Sequence, residues 1–331
     1  MTRRNFFKVS VGCAAATWLP LVARAQPPAR MPVVAFIFGG SSDAFAQYAT
    51  AFRKGLEETG HVERQNVSVE YYWLEGHNDR LPALISELVT RKVAVIATPA
   101  SHPAALAAKA ATKDIPIVFG VGDDPVKLGL VTSLAQPGGN ATGINFFNTE
   151  VIAKRLRLLH EMVPKARRIA VLLNPSNTSI AESTLQQVKE AVRVIGVEIQ
   201  PLNASTIEEI DAAFASIARE HLDALFVAPD GFFNSRPAQI ATLAAVNKIP
   251  AAYASRDTVV AGGLMSYGAD FSDVFHQVGV YTGNILNGAK PAGLPVVQTT
   301  KFYFVINMNT ARALGIQVPP GVVSIADEVI E

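Results

Sequence analysis

Short β-rich apolar runs alternate along this chain with longer segments of helical period, and that alternation restricts the fold more than any other feature. The runs are Val33 to Phe38, Val67 to Trp73, Val93 to Thr98, Ile117 to Gly120, Ala141 to Phe146, Ile169 to Leu173, Val197 to Leu202, Ala224 to Ala228 and Ala251 to Ala254. Most are apolar at consecutive positions, as strands buried on both faces must be. Between them the pattern predicts helices over Asp43 to Thr59, Arg80 to Lys92, Thr149 to Val163, Ser179 to Ile195, Ile207 to His221 and Gln239 to Asn247. In the first of these, Phe45, Ala49, Phe52 and Leu56 form one stripe. Strands that alternate with helices define an α/β chain of parallel sheets with helices on their faces. One set of units ends near residue 143 and a second fills 144 to 255, which reads as two doubly wound, Rossmann-like lobes. After residue 255 come a glycine-rich irregular segment, one long helix, a strand in "KFYFVINM" and a short helix from Asn309 to Leu314.

The first 25 residues stand outside this pattern. Arg3-Arg4-Asn5-Phe6-Phe7-Lys8 precedes an uncharged stretch that closes with Ala23-Arg24-Ala25. The paired arginines match a twin-arginine export signal cleaved before Gln26, with an ordinary secretory signal as the alternative route. A lipoprotein signal ending at Cys13 fits less well, because most of the apolar stretch follows the cysteine. Cleavage removes the only cysteine and leaves no disulfide and no thiol nucleophile. It also removes Arg3, Arg4, Lys8 and Arg24 from 29 basic residues and leaves 28 acidic ones, a net charge near −3. That balance argues against nucleic acid or an anionic membrane surface as partner. No apolar run of the mature chain approaches a membrane span, so a periplasmic product is expected.

Readings that require catalysis or a cofactor find little support. Gly120-Val121-Gly122-Asp123-Asp124-Pro125 starts like a dinucleotide fingerprint, but Pro125 occupies the place of the third glycine. Asp123 and Asp124 are adjacent, so their side chains diverge, and no third ligand lies nearby for a metal. Asp124 is instead expected to cap a helix opening at Pro125, with Asp123 facing a crevice. Ser266 lies in "GLMSYG", where Leu264 replaces the glycine of a nucleophile elbow. The six histidines lack ligand spacing and are each read as surface groups. No enzyme activity, cofactor or metal is expected.

What recurs is a small polar loop at strand ends that opens into a helix. Gly39-Gly40-Ser41-Ser42, Thr98 to Ser101, Asn174 to Thr178 and Pro229-Asp230-Gly231 all have this form. In open α/β sheets ligands bind at the carboxyl ends of strands, and amide N–H groups at helix starts suit a carboxylate.

Several stretches together resemble the substrate-binding proteins of ABC transporters, in the branch that includes tryptophan and phenylalanine binders. They include "IPIVFGVGDDPVKLGLVTSLAQPGGNATG", "KRLRLLHEMVP", "GGLMSYGAD", "NGAKPAGLPV" and "INMNTARALGIQVP". The resemblance implies a type I periplasmic-binding fold of two lobes joined by three crossovers, 32–143 plus 267–303 and 144–266 plus 304–331. Gly143, Ser266 and Gly268 would then lie near hinges. It implies a small-molecule ligand held between closing lobes by Ser41, Ser42, Ser101, Asp123, Asn174, Asn177 and Asp230, with Tyr253, Tyr267 or Phe232 stacking on a ring. Hydroxyls and amides would take a carboxylate, and Asp230 an ammonium. Aromatic-amino-acid binders tend to carry an aspartate-asparagine pair where this chain has Asp230-Gly231, which leaves open whether the ligand has an amine. The implied partner is the transmembrane permease of an importer, met by a monomeric receptor. A ligand sensor that signals to a membrane receptor is the alternative role for the same fold.

Overall fold

A computed structural model describes residues 31–146, 151–299 and 301–331. The expected export signal and the expected cleavage before Gln26 lie outside the described residues. The chain builds two sheets, each with helices on both faces.

The first lobe runs β1 (Val33–Phe38), α1 (Ser42–Glu58), β2 (Ser68–Trp73), α2 (Leu81–Arg91), β3 (Val95–Thr98), α3 (His102–Ala111), β4 (Ile117–Val121) and β5 (Ala141–Asn145). The second runs α4 (Ile152–Met162), β6 (Arg168–Leu173), α5 (Thr178–Ile195), β7 (Glu198–Asn203), α6 (Ile207–Arg219), β8 (Ala224–Val227), α7 (Gly231–Asn234), α8 (Pro237–Val246), β9 (Ala251–Tyr253), α9 (Arg256–Val260) and β10 (Met265–Ala269). The chain then returns to the first lobe with α10 (Phe271–Leu286) and β11 (Val297–Gln298). It ends in the second with β12 (Phe302–Asn307), α11 (Met308–Ala313), α12 (Pro320–Val323) and β13 (Glu328–Ile330).

Strand order is β11-β5-β4-β3-β1-β2 in one sheet and β13-β12-β10-β9-β8-β6-β7 in the other. Pairing is parallel throughout except between β10 and β12. The inner strands β3, β4, β5, β8, β9 and β10 are buried at every position, which explains the consecutive apolar residues of β4, β8 and β9. β7 is an edge strand and tolerates Pro201, whose missing N–H costs no ladder bond on the outer side. Among the described residues no helix is long and apolar enough to cross a membrane.

The sequence pattern missed β10, expected to be irregular, and the short edge strands β11 and β13. Ser, Tyr and Gly in "MSYGA" lack the β-rich signature, yet the strand sits in the middle of its sheet. Gly268 is there because a Cβ would lie 2.1 Å from the Ala254 carbonyl oxygen. Gly143 meets the same constraint in β5, where a Cβ would lie 1.9 Å from the Phe119 oxygen. Gly143, Ser266 and Gly268 are therefore interior strand residues. Consecutive elements change sheet a little further on, from β5 to α4, from β10 to α10 and from β11 to β12. The elements built on one sheet thus fall within 31–146 and 271–298, and those built on the other within 151–269 and 302–331.

Candidate functional site

The carboxyl ends of both sheets face each other across a crevice. The first lobe contributes the turns after β1, β3 and β4, and the second those after β6 and β8, so the polar strand-end loops converge as a parallel sheet requires. Two small adjoining cavities remain between them.

One, of about 30 Å³, has aromatic walls from the first lobe: Phe38, Phe45, Phe146 and Phe271, with His102 beside them. The second lobe supplies Asn177, Ile180, Pro229 and Asp230. The other, of about 20 Å³, lies among Gly39, Ala100, Ser101, Asn174, Asp230 and Phe232.

Asp230 belongs to both. It caps the short α7, its Oδ1 accepting from the Phe232 N–H at 2.9 Å and from Asn174 Nδ2 at 2.9 Å. Its Oδ2 accepts from Asn177 Nδ2 at 2.8 Å. Asn174 is itself oriented, since its Oδ1 accepts from the Ser176 N–H and from Ser205 Oγ, each at 3.0 Å. Asp230 is only 5 % exposed, and burial raises its pKa against the opposing pull of these hydrogen bonds. A buried carboxylate whose hydrogen-bond donors among the described residues are all neutral is suited to receive a cation.

Across the second cavity stands Ser101, the N-cap of α3, 3 % exposed, whose hydroxyl has no partner among the described residues. Ala100 before it holds a left-handed φ of 52°, a strained turn that brings the helix start to the crevice. An unpartnered hydroxyl at a helix start complements an anion. Asp230 and Ser101 thus offer opposite polarities from opposite lobes.

The remaining expected site residues divide. Asn174 and Asn177 both line the smaller cavity. Ser41 is the half-buried N-cap of α1 without a side-chain capping bond, and Ser42 is exposed and donates to Asp43 at 3.3 Å. Neither borders the two cavities. Asp123 is buried, and its Oδ1 accepts from Ser183 Oγ of α5 at 3.1 Å, so it links the two lobes. Asp124 Oδ1 accepts from the Val126 N–H at 2.9 Å, but only turns follow and no helix opens at Pro125. Tyr253 and Tyr267 pack in the core of the second lobe, Tyr267 stacked on Phe302 at 6.0 Å. The aromatic wall comes from phenylalanines instead. Phe232 borders the smaller cavity with Arg236 stacked on it at 3.9 Å.

His102 departs most from expectation, being 4 % exposed. Its Nε2 accepts from the Gly122 N–H at 3.0 Å and the Asp123 N–H at 3.1 Å, so the neutral ring carries its proton on Nδ1. Burial lowers its pKa to about 4, with Asp123 opposing. The sequence signal for the phenylalanines was their place: Phe38 and Phe45 flank the first strand-end loop, and Phe271 opens α10 after a gap of one residue from the end of β10.

Residues 31–330 match the family model of the ABC transporter substrate binding protein, and the chain belongs to that family. Its two lobes have the type I periplasmic-binding fold. A tyrosine-binding protein of Clostridioides difficile is 29% identical over 266 residues, covering 80% of this chain and 76% of the relative. Among solved structures, the Streptococcus pneumonia ABC domain in complex with L-Trp is 25% identical with a TM-score of 0.80, covering 90% of this chain and 99% of that one. The ligand-free, open structure of a Clostridium difficile substrate binding protein with adhesive properties is 26% identical with a TM-score of 0.62, covering 91% and 99%.

Proposed function

We propose that the protein is the periplasmic solute receptor of an ABC importer and that its solute is an amino acid with an apolar side chain. The observation that carries this reading is the pairing of Asp230 with Ser101 and the start of α3 across one cavity. A carboxylate and an anion-binding helix start, one from each lobe, match the ammonium and carboxylate of a zwitterion. The phenylalanine-walled cavity next to them receives the side chain. Relatives described as binding tyrosine and L-Trp support this class of solute.

Cavities of about 30 and 20 Å³ are smaller than an amino acid. The solute enters with the lobes apart, and the crossing at 269–271 acts as a hinge. The higher TM-score to the L-Trp complex than to the open relative fits a closed arrangement. The export signal delivers a monomeric receptor to the periplasm, where it presents its solute to the permease.

The test is calorimetry on protein beginning at Gln26, stripped of co-purified solute by unfolding and refolding. L-tyrosine, L-tryptophan, L-phenylalanine and L-leucine are compared with the same acids lacking the amine. Saturable binding of at least one amino acid, with its desamino analogue at least about tenfold weaker, is expected. Equal affinity removes the ammonium pair with Asp230, and no binding to any of them overturns the solute class.

A further inference from the structure

A second contact joins the lobes away from the solute cavities. Asp257 on α9 of the second lobe accepts two hydrogen bonds at Oδ2, from Tyr48 Oη at 2.6 Å and Gln47 Nε2 at 3.2 Å, both on α1 of the first lobe. The Tyr48 ring is 6 % exposed and wedged against Phe45, Phe271 and Phe275. Asp257 is steadied from its own side, its N–H donating to Ser255 Oγ at 3.2 Å. Burial, then the neighbouring carboxylate, raises the Tyr48 pKa, so the phenol remains a donor.

These groups border a cavity of about 280 Å³ beside the crossing at 269–271. Of its lining, only Phe271 is shared with the solute cavities. Neither Tyr48 nor Asp257 reaches them. Parting the lobes costs a short, charge-assisted bond and wets a buried phenol.

We propose that Tyr48 and Asp257 form a closure latch that stabilises the closed receptor without touching the solute. The apparent Kd of any receptor is its intrinsic value divided by the fraction in the competent state, so a latch of this kind scales every affinity by one factor. The scaling rests on the solute-receptor reading, whereas the closure itself does not.

The experiment labels Lys54→Cys on α1 and Lys189→Cys on α5, both exposed, in protein beginning at Gln26, which has no other cysteine, and records inter-lobe distances by single-molecule energy transfer. Tyr48→Phe keeps the ring packing, and Asp257→Asn keeps the shape of the acceptor. Solute-free wild-type protein is expected to populate the short distance, and each variant to lose most of that population. Calorimetry is expected to show a loss of about tenfold for each amino acid that binds, by the same factor within error. Distances unchanged in both variants, or factors that differ between solutes, overturn the latch. If no amino acid binds yet the variants still lengthen the distance, the latch stands and the solute assignment fails.

Discussion

At position 102 an imidazole replaces what water would otherwise do for two backbone donors. Protonating Nε2 would turn the acceptor of the Gly122 and Asp123 N–H groups into a third donor, inside a buried site. With a pKa of 6.5 in the unfolded chain and about 4 in the folded one, the unfolded state binds the extra proton over that window. The contribution to stability is thus fully present above pH 6.5 and is lost as pH falls toward 4, amounting to about 3 kcal/mol. Urea denaturation at several pH values should show this slope, and His102→Gln should flatten it.

Asp230 gives the second residue-scale prediction. Asp230→Asn should weaken binding of an aminated solute by about 1–3 kcal/mol while leaving the phenylalanine walls intact. Because burial raises the pKa of this carboxyl, and only its ionised form attracts an ammonium, wild-type affinity should fall as pH drops through that raised value. Calorimetry on the variant that shows unchanged affinity would remove Asp230 from the role. Asp230 was legible in the sequence because a carboxylate after a strand in a small polar loop is recognisable. His102 was not, since its partners lie 20 and 21 residues away and meet it only in the fold.

At the scale of elements, α10 is the piece that the first lobe borrows from the far end of the chain. It lies against α1 so closely that a Cβ on Gly279 would stand 2.1 Å from the Phe52 carbonyl oxygen, and one on Gly55 2.1 Å from that of His276. Both obstacles are backbone atoms, which yield only if a helix shifts. Gly279→Ala should cost about 1–3 kcal/mol in urea denaturation, although alanine is the better helix former. The long helix itself was readable from its period, whereas its partner was not. β10 shows the reverse case, a strand whose composition hides it and whose central position comes from β9 and β12 on either side.

For the whole molecule, three crossings make each lobe discontinuous in sequence. Residues 31–146 alone leave bare the face of α1 that α10 covers, a face that includes Phe52, Leu56 and their neighbours. A chain of 31–146 joined by a flexible linker to 271–298 should unfold cooperatively in urea, monitored by circular dichroism. Residues 31–146 without the addition should not.

The alternation of strands and helices by itself determined two largely parallel sheets with helices on both faces, since strands apolar at consecutive positions are those buried on both faces. It also located the strand-end loops, because glycine, serine, asparagine and aspartate mark where a strand gives way to a helix. Which loops meet was decided by the tertiary structure alone. Asn174 and Asp230 are 56 positions apart and bond because β6 and β8 are neighbours in the sheet. Ser101 faces Asp230, and Tyr48 reaches Asp257, only once the chain has crossed between the sheets and brought their carboxyl ends together. Such contacts depend on strand order and on where the crossings fall, and neither leaves a periodic trace in the sequence.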